Sequence, residues 1–144
     1  HLLSKQHQQK AVKRTYEAIV HGEMVEREGT IDAPIGRKSD SIIERTVCEN
    51  GQRAVTHFRV MDSANHKTHV SLELETGRTH QIRVHMAHIG HPLLGDDLYG
   101  GRRDVIKRQA LHSTSLTFYH PILEKEMSFT TTIPSDMQEV LRHT

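Results

Sequence analysis

TGRTHQIRVHMAHIGHPLLGDDLYG, Thr76 to Gly100, is the stretch on which the reading of this chain turns. It holds two arginines and four histidines in one short span. Thr79 stands where a helix N-cap belongs, because a hydroxyl there can accept from free backbone N–H groups. Ile82, Met86 and Ile89 then recur at i, i+4 and i+7, which is a single apolar face. Gly90 suits the left-handed residue just past a helix end, and Pro92 cannot continue the helix. Arg83 falls off the apolar face, one turn from Thr79 and His80. The spacing therefore predicts a helix from about His80, with an arginine and polar groups near an N-terminus that favours anions.

Working outward, Lys67–Glu75 delivers the chain into this stretch. Val70, Leu72 and Leu74 alternate there with Ser71 and Glu73, and upstream Thr56, Phe58 and Val60 alternate with His57 and Arg59. Period-two alternation predicts two half-buried strands of a hairpin, Ala54–Met61 and Lys67–Glu75, joined by a turn at Asp62–Asn65. Arg14–Val20 alternates in the same way, with Tyr16, Ala18 and Val20 on one side, and His21-Gly22 ends it. Short strands are expected near Thr30–Ala33 and Ile42–Val47, with a turn at Asn50-Gly51. Between them, Arg37-Lys38-Ser39-Asp40 reads as a polar loop whose basic residues are either solvated or in contact with phosphate. Ala110–Tyr119 and Glu126–Ile133 read as later strands. Ser135 opens a final helix, and His1–Val12 reads as a first one. Strands and helices in this order, with no repeat or linker, predict one α+β domain: a mostly antiparallel mixed sheet flanked by helices.

Composition narrows the function classes. Nineteen basic and eighteen acidic residues leave a net charge of +1, so any nucleic-acid surface must be a local patch. Cys48 is the only cysteine, which excludes an internal disulfide and fits a reducing, cytoplasmic setting. Cys48 itself reads as a small packing residue. No apolar run approaches the roughly 20 residues a bilayer span needs, so no membrane partner is expected. Thirteen histidines are many for 144 residues. They read as surface and supporting groups, or as a source of pH-dependent affinity. Four of them, His80, His85, His88 and His91, raise a metal site as a rival. However, no acidic residue completes an H-E-x-x-H pattern and no cysteine joins them.

TGRTHQIRVH followed by GHPLLGDDLYG resembles a motif of the RluA/RluD-type RNA pseudouridine synthases. Arg14-Thr15-Tyr16-Glu17-Ala18-Ile19-Val20-His21-Gly22 resembles that family's tyrosine motif, and the two occur in the family's order. The resemblance implies the pseudouridine synthase catalytic fold and uridine isomerisation in ribosomal or transfer RNA, without cofactor or metal. It also assigns roles. Arg83 is similar to the arginine that pairs with the catalytic aspartate, and its guanidinium can bind a carboxylate through two hydrogen bonds. Tyr16 is similar to the tyrosine that lies against the extruded base; read from pattern alone it is equally an ordinary core aromatic. Arg78, His80 and Gln81 fall around the substrate pocket, although His80 can equally serve the helix start. Tyr99 and Leu93 or Leu94 are expected to line or support the pocket. Asp96 and Asp97 form a carboxylate pair that the resemblance treats as structural.

The family's nucleophile lies in an H-R-L-D-x-x-T-S-G motif upstream of the tyrosine, and this sequence contains none. Residues 1–144 are therefore expected to be the C-terminal portion of one catalytic domain, inactive alone. Arg83 would lack its carboxylate, and an incomplete sheet would be open to self-association. The rival from another class is a non-catalytic RNA-binding module.

Overall fold

The computed structural model describes residues 13–120, 122 and 125–142 and holds eight strands and two helices among them; the strand at Ile35–Arg37 is not among those expected, and it takes in Arg37 of the predicted polar loop. The strands are β1 (Lys13–His21), β2 (Glu28–Asp32), β3 (Ile35–Arg37), β4 (Arg45–Val47), β5 (Val55–Ala64), β6 (Lys67–Leu74), β7 (Leu111–His120) and β8 (Lys125–Thr130). The helices are α1 (Gln81–His88) and α2 (Ser135–Arg142), with a short 3-10 turn at Asp97–Tyr99. The helix expected over His1–Val12 lies outside the described residues.

Six strands form one antiparallel sheet in the order β2-β5-β6-β1-β7-β8, and β3 and β4 form a separate two-stranded ribbon. Alternation buries the predicted side. Ala18, Val20, Phe58, Val60, Val70 and Leu72 meet Ile82 and Met86 of α1 and the buried Leu93 in the main core. The other face is not simply solvated, as the alternation alone suggests. At β1, Ile19 points to the opposite side and is fully buried with Leu94, Ile106, Ala110, Met137 and Val140. α2 supplies that second layer, so β1 is covered on both faces.

The hairpin turn falls later than the sequence suggests. Ser63 and Ala64 still pair, with Thr68 and Lys67, and the chain reverses at Asn65 and His66. Both carry positive φ, 53° and 62°, which is the geometry whose twist suits a two-residue hairpin. Met61 sits in a bulge, since Val60 pairs with Val70 and Asp62 with His69. The strand expected at Ile42–Val47 is shorter. Ile42 and Ile43 are exposed, and only Arg45–Val47 pairs. A third small cluster, Ile35, Ala54 and Val84, seats the β3–β4 ribbon against α1. No helix among the described residues is long and apolar enough to cross a membrane.

Candidate active site

The strand β6 ends in Glu75–Thr79 and leads into α1, and a closed set of hydrogen bonds holds that junction. Thr79 does not cap the helix. The N-cap is His80, with φ 57° and no side-chain cap bond, and Gln81 anchors the turn instead. Its Oε1 accepts from the Arg78 N–H at 3.0 Å and from the Thr76 hydroxyl at 2.7 Å. Its Nε2 donates to the Val55 carbonyl and to Thr56 Oγ1. With Gln81 donating to it, Thr56 can give its own proton to His85 Nδ1 at 2.8 Å. That leaves His85 Nε2–H to donate to the Ala33 carbonyl, also 2.8 Å away. Burial pushes the His85 pKa below its ordinary value, which favours the neutral imidazole that this arrangement uses. Gln81 is buried, so its amide holds the loop more than it offers itself to a ligand.

Arg83 projects from α1 away from the core. Its Nε and Nη2 each donate to one Asp96 oxygen at 2.8 Å, a bidentate pair in which the carboxylate side chain is only 1% exposed. The expectation of an Arg83 without a carboxylate is thus wrong. The loop after Pro92 returns Asp96 to α1, and glycine makes the return possible. Gly95 has φ 79°, and a Cβ there would lie 1.8 Å from the Arg108 carbonyl oxygen. The bond to Asp96 raises the Arg83 pKa, and the guanidinium stacks 5.0 Å from the Tyr99 ring centroid. Nη1 of Arg83 makes no hydrogen bond among the described residues. Asp96 is a poor nucleophile in this setting, because both oxygens are occupied and the residue is 2% exposed.

Tyr99 is wired between two elements. Its hydroxyl accepts from the Arg45 N–H at 2.9 Å and lies 2.7 Å from His80 Nδ1, to which it can donate. Burial, then Arg83 and Arg45, hold the His80 pKa below its ordinary value, so the imidazole is disposed to accept.

Tyr16, Arg78, His80, Gln81 and Arg83 come together on one cleft of about 290 Å³. β1 supplies Tyr16, whose hydroxyl makes no hydrogen bond among the described residues, and Arg14 beside it. Leu111 at the start of β7 closes the cleft from the other side. Arg14 and Leu111 are lining residues the sequence reading did not single out. The signal for Arg14 was its i, i+2 relation to Tyr16 on one strand face. Two residues expected to line or support the cleft are not on its wall. Tyr99 stands behind it, with its hydroxyl on His80 and its ring on Arg83. Leu93 is fully buried in the main core and bridges to Val20, because the chain after Pro92 pairs with the C-terminal end of β1, past the start of β7. A larger cavity, about 420 Å³ between Met24, Phe58 and His91, contains none of these groups. Its lining mixes apolar side chains with Glu26, Asp32 and His88 and offers no arginine or tyrosine.

Three of the four histidines of the rival metal reading are committed to other partners, and the fourth, His88, lines the larger cavity with His91. His80 faces Tyr99, His85 joins Thr56 to Ala33, and His91 Nδ1 donates to the His21 carbonyl. Among the described residues no three His, Cys, Asp or Glu side chains are grouped to hold a metal ion.

Residues 1–88 match the family profile described as RNA pseudouridylate synthase. The uncharacterized RNA pseudouridine synthase YjbO of Bacillus subtilis (strain 168) is 56% identical over 141 residues, 98% of this chain and 50% of that protein. The ribosomal large subunit pseudouridine synthase D of Escherichia coli (strain K12) is 45% identical over 148 residues, 93% of this chain and 45% of that protein. Among solved structures, human RNA pseudouridylate synthase domain containing 1 superposes with a TM-score of 0.70 at 27% identity. That match covers 98% of this chain and 70% of the human one. The chain spans about half the length of the curated relatives it matches.

Proposed function

This chain belongs to the RNA pseudouridylate synthase family, and on that premise we propose that its protein isomerises uridine to pseudouridine in structured RNA. The 144 residues supply the arginine and tyrosine part of a catalytic domain. The nucleophilic aspartate comes from a segment outside them. The observation that carries this reading is the convergence of Tyr16 and Arg83, from distant parts of the sequence, on one cleft.

Isomerisation breaks the N1–C1′ bond of uridine, turns the base, and joins C5 to C1′. Arg83 is suited to keep a nucleophilic carboxylate ionised and aimed, since an adjacent cation favours the charged form. Asp96 fixes one edge of the guanidinium and leaves Nη1 to a second carboxylate. This makes Asp96 the positioning partner of Arg83 rather than its substitute for the nucleophile. Tyr16 offers a ring to hold the extruded base and a free hydroxyl near it. His80 and Arg78 offer polar contacts to the nucleotide. Uridines in ribosomal or transfer RNA are the proposed targets, in the cytoplasm, and self-association can occur through the outer strands β2 and β8.

The test is tritium release from RNA labelled at uridine C5, because forming the C5–C1′ bond expels that hydrogen. Release by a longer polypeptide that adds an upstream H-R-L-D segment, and not by the 144 residues alone, is the expected result. Release by the 144 residues alone would return Asp96 or Asp97 to the role of nucleophile. Silence from both across ribosomal and transfer RNA would favour a non-catalytic RNA-binding module.

A further inference from the structure

The ribbon of β3 and β4 carries an arrangement that the reaction described above does not use. Arg37 and Arg45 are directly opposite each other in its ladder. Like charges across a strand pair repel, and this ribbon has only one such ladder to hold it together. Arg45 adds a second anomaly. Its Nη1 is buried and has no hydrogen-bond partner, alone among the buried side-chain nitrogen and oxygen atoms of the described residues. Buried polar groups are nearly always paired, so this guanidinium nitrogen lacks the acceptor such a group normally has. Both arginines line a cleft of about 310 Å³, and Arg78 completes its wall. Asn50, Gln52 and Thr79 add neutral donors, and no aspartate or glutamate lines it. In a chain of net charge +1, three arginines with no acid among them make a local concentration of positive charge.

The site has a place in the larger surface. Arg78 also lines the cleft that holds Tyr16 and Arg83, so the two clefts share a wall. An anion between Arg37, Arg45 and Arg78 therefore sits beside whatever occupies the Tyr16 cleft. The Arg78 Nε is tied to the Arg53 carbonyl at 2.7 Å, which fixes that wall from the far side. Arginine forks match the oxygens of a phosphate, and a polynucleotide presents such groups at regular intervals beside each base. Resting on the RNA reading above, we propose that the Arg37–Arg45–Arg78 cleft binds one backbone phosphodiester next to the target uridine. It fixes the register of the strand, and the β3–β4 ribbon is held in its like-charged form by that phosphate.

The test uses the 144-residue chain and a short uridine-containing RNA hairpin, with binding read by fluorescence anisotropy at several salt concentrations. Replacing single phosphates by uncharged methylphosphonates, one position at a time, should weaken binding about ten-fold at one position beside the bound uridine. In Arg45→Ala that same replacement should have no further effect, and Arg37→Ala, at an exposed site, should reduce its effect. Each substitution should lower the slope of log affinity against log salt by about 1. Arg45→Lys should restore part of the slope and not the position-specific loss, since a point charge lacks the fork. Arg59→Ala, exposed on β5, is the control. Equal losses at every phosphate, or an Arg59→Ala effect equal to that of Arg37→Ala, would overturn the site while leaving the RNA reading intact. No RNA binding by the unsubstituted chain would overturn the site, and no binding by the longer polypeptide either would overturn the RNA reading as well.

Discussion

Two arginine settings in this molecule have opposite character. Arg83, on α1, has a carboxylate gripped by two of its nitrogens, and the residues around it form closed chains of donors and acceptors. Arg45, on the ribbon, has a buried nitrogen without a partner and another arginine facing it. Both lie within reach of Tyr99, one by its guanidinium and the other by its backbone N–H. The difference separates two uses of charge. A satisfied buried pair makes a rigid platform, whereas an arginine without an acceptor keeps affinity in reserve for a ligand.

Breaking the satisfied setting should have the largest effect on stability. Arg83→Ala leaves Asp96 buried and uncompensated, and should cost about 3 kcal/mol or more in urea unfolding. Gln81→Ala opens four hydrogen bonds at the α1 junction and should cost about 2–3 kcal/mol by the same measurement.

A change of pH tests the same network from another side. His85, His80 and His21 all have folded-state pKa values lowered from 6.5, in each case chiefly by burial. The folded chain then binds fewer protons than the unfolded one, so their contribution is full above pH 6.5 and lost as the pH falls through the lower folded values. Thermal unfolding midpoints should therefore drop on acidification below pH 6.5, and His85→Gln should flatten that slope. The smallest effect belongs to the ribbon. Arg37→Thr should leave stability unchanged or raise it by about 0.5 kcal/mol, because it relieves a like-charge pair. A cost near that of Arg83→Ala would erase the distinction between the two settings.

Much of the frame was legible in the sequence because β1, β5 and β6 alternate cleanly, and alternation is a direct image of a half-buried strand. The apolar face of α1 was legible for the same reason, with Ile82 and Met86 buried as their spacing requires. What the sequence concealed depends on contacts distant along the chain. Thr79 looks like a cap, yet His80 adopts a left-handed conformation uncommon for a non-glycine residue, and Gln81 closes the junction from inside. The hairpin turn was misplaced because Asp62-Ser63-Ala64-Asn65 has turn composition, while the bulge at Met61 lets the strand continue. Ile42 and Ile43 resemble a buried strand and are exposed.

The candidate site was legible as a set of residues but not as a wiring diagram. Tyr16, Arg78, His80 and Arg83 share a cleft, as the motifs imply. The partnership of Arg83 with Asp96 depends on how the Gly90–Gly95 segment folds back, and no local spacing encodes that. Leu93 was misassigned because a leucine after Pro92 is equally suited to a pocket wall or to the core, and only the bridge to Val20 decides.

The most direct measurement is arginine side-chain NMR of this chain with and without a uridine-containing RNA hairpin. The Nε–H signal of Arg83 should be slow to exchange in both states, held by Asp96. The guanidinium signals of Arg37 and Arg45 should exchange fast or broaden in the free chain, then sharpen and shift when RNA is added. An Arg83 Nε–H as labile as any exposed arginine in the free chain, or an Arg45 unmoved by bound RNA, would contradict the division between a closed platform and an open phosphate cleft.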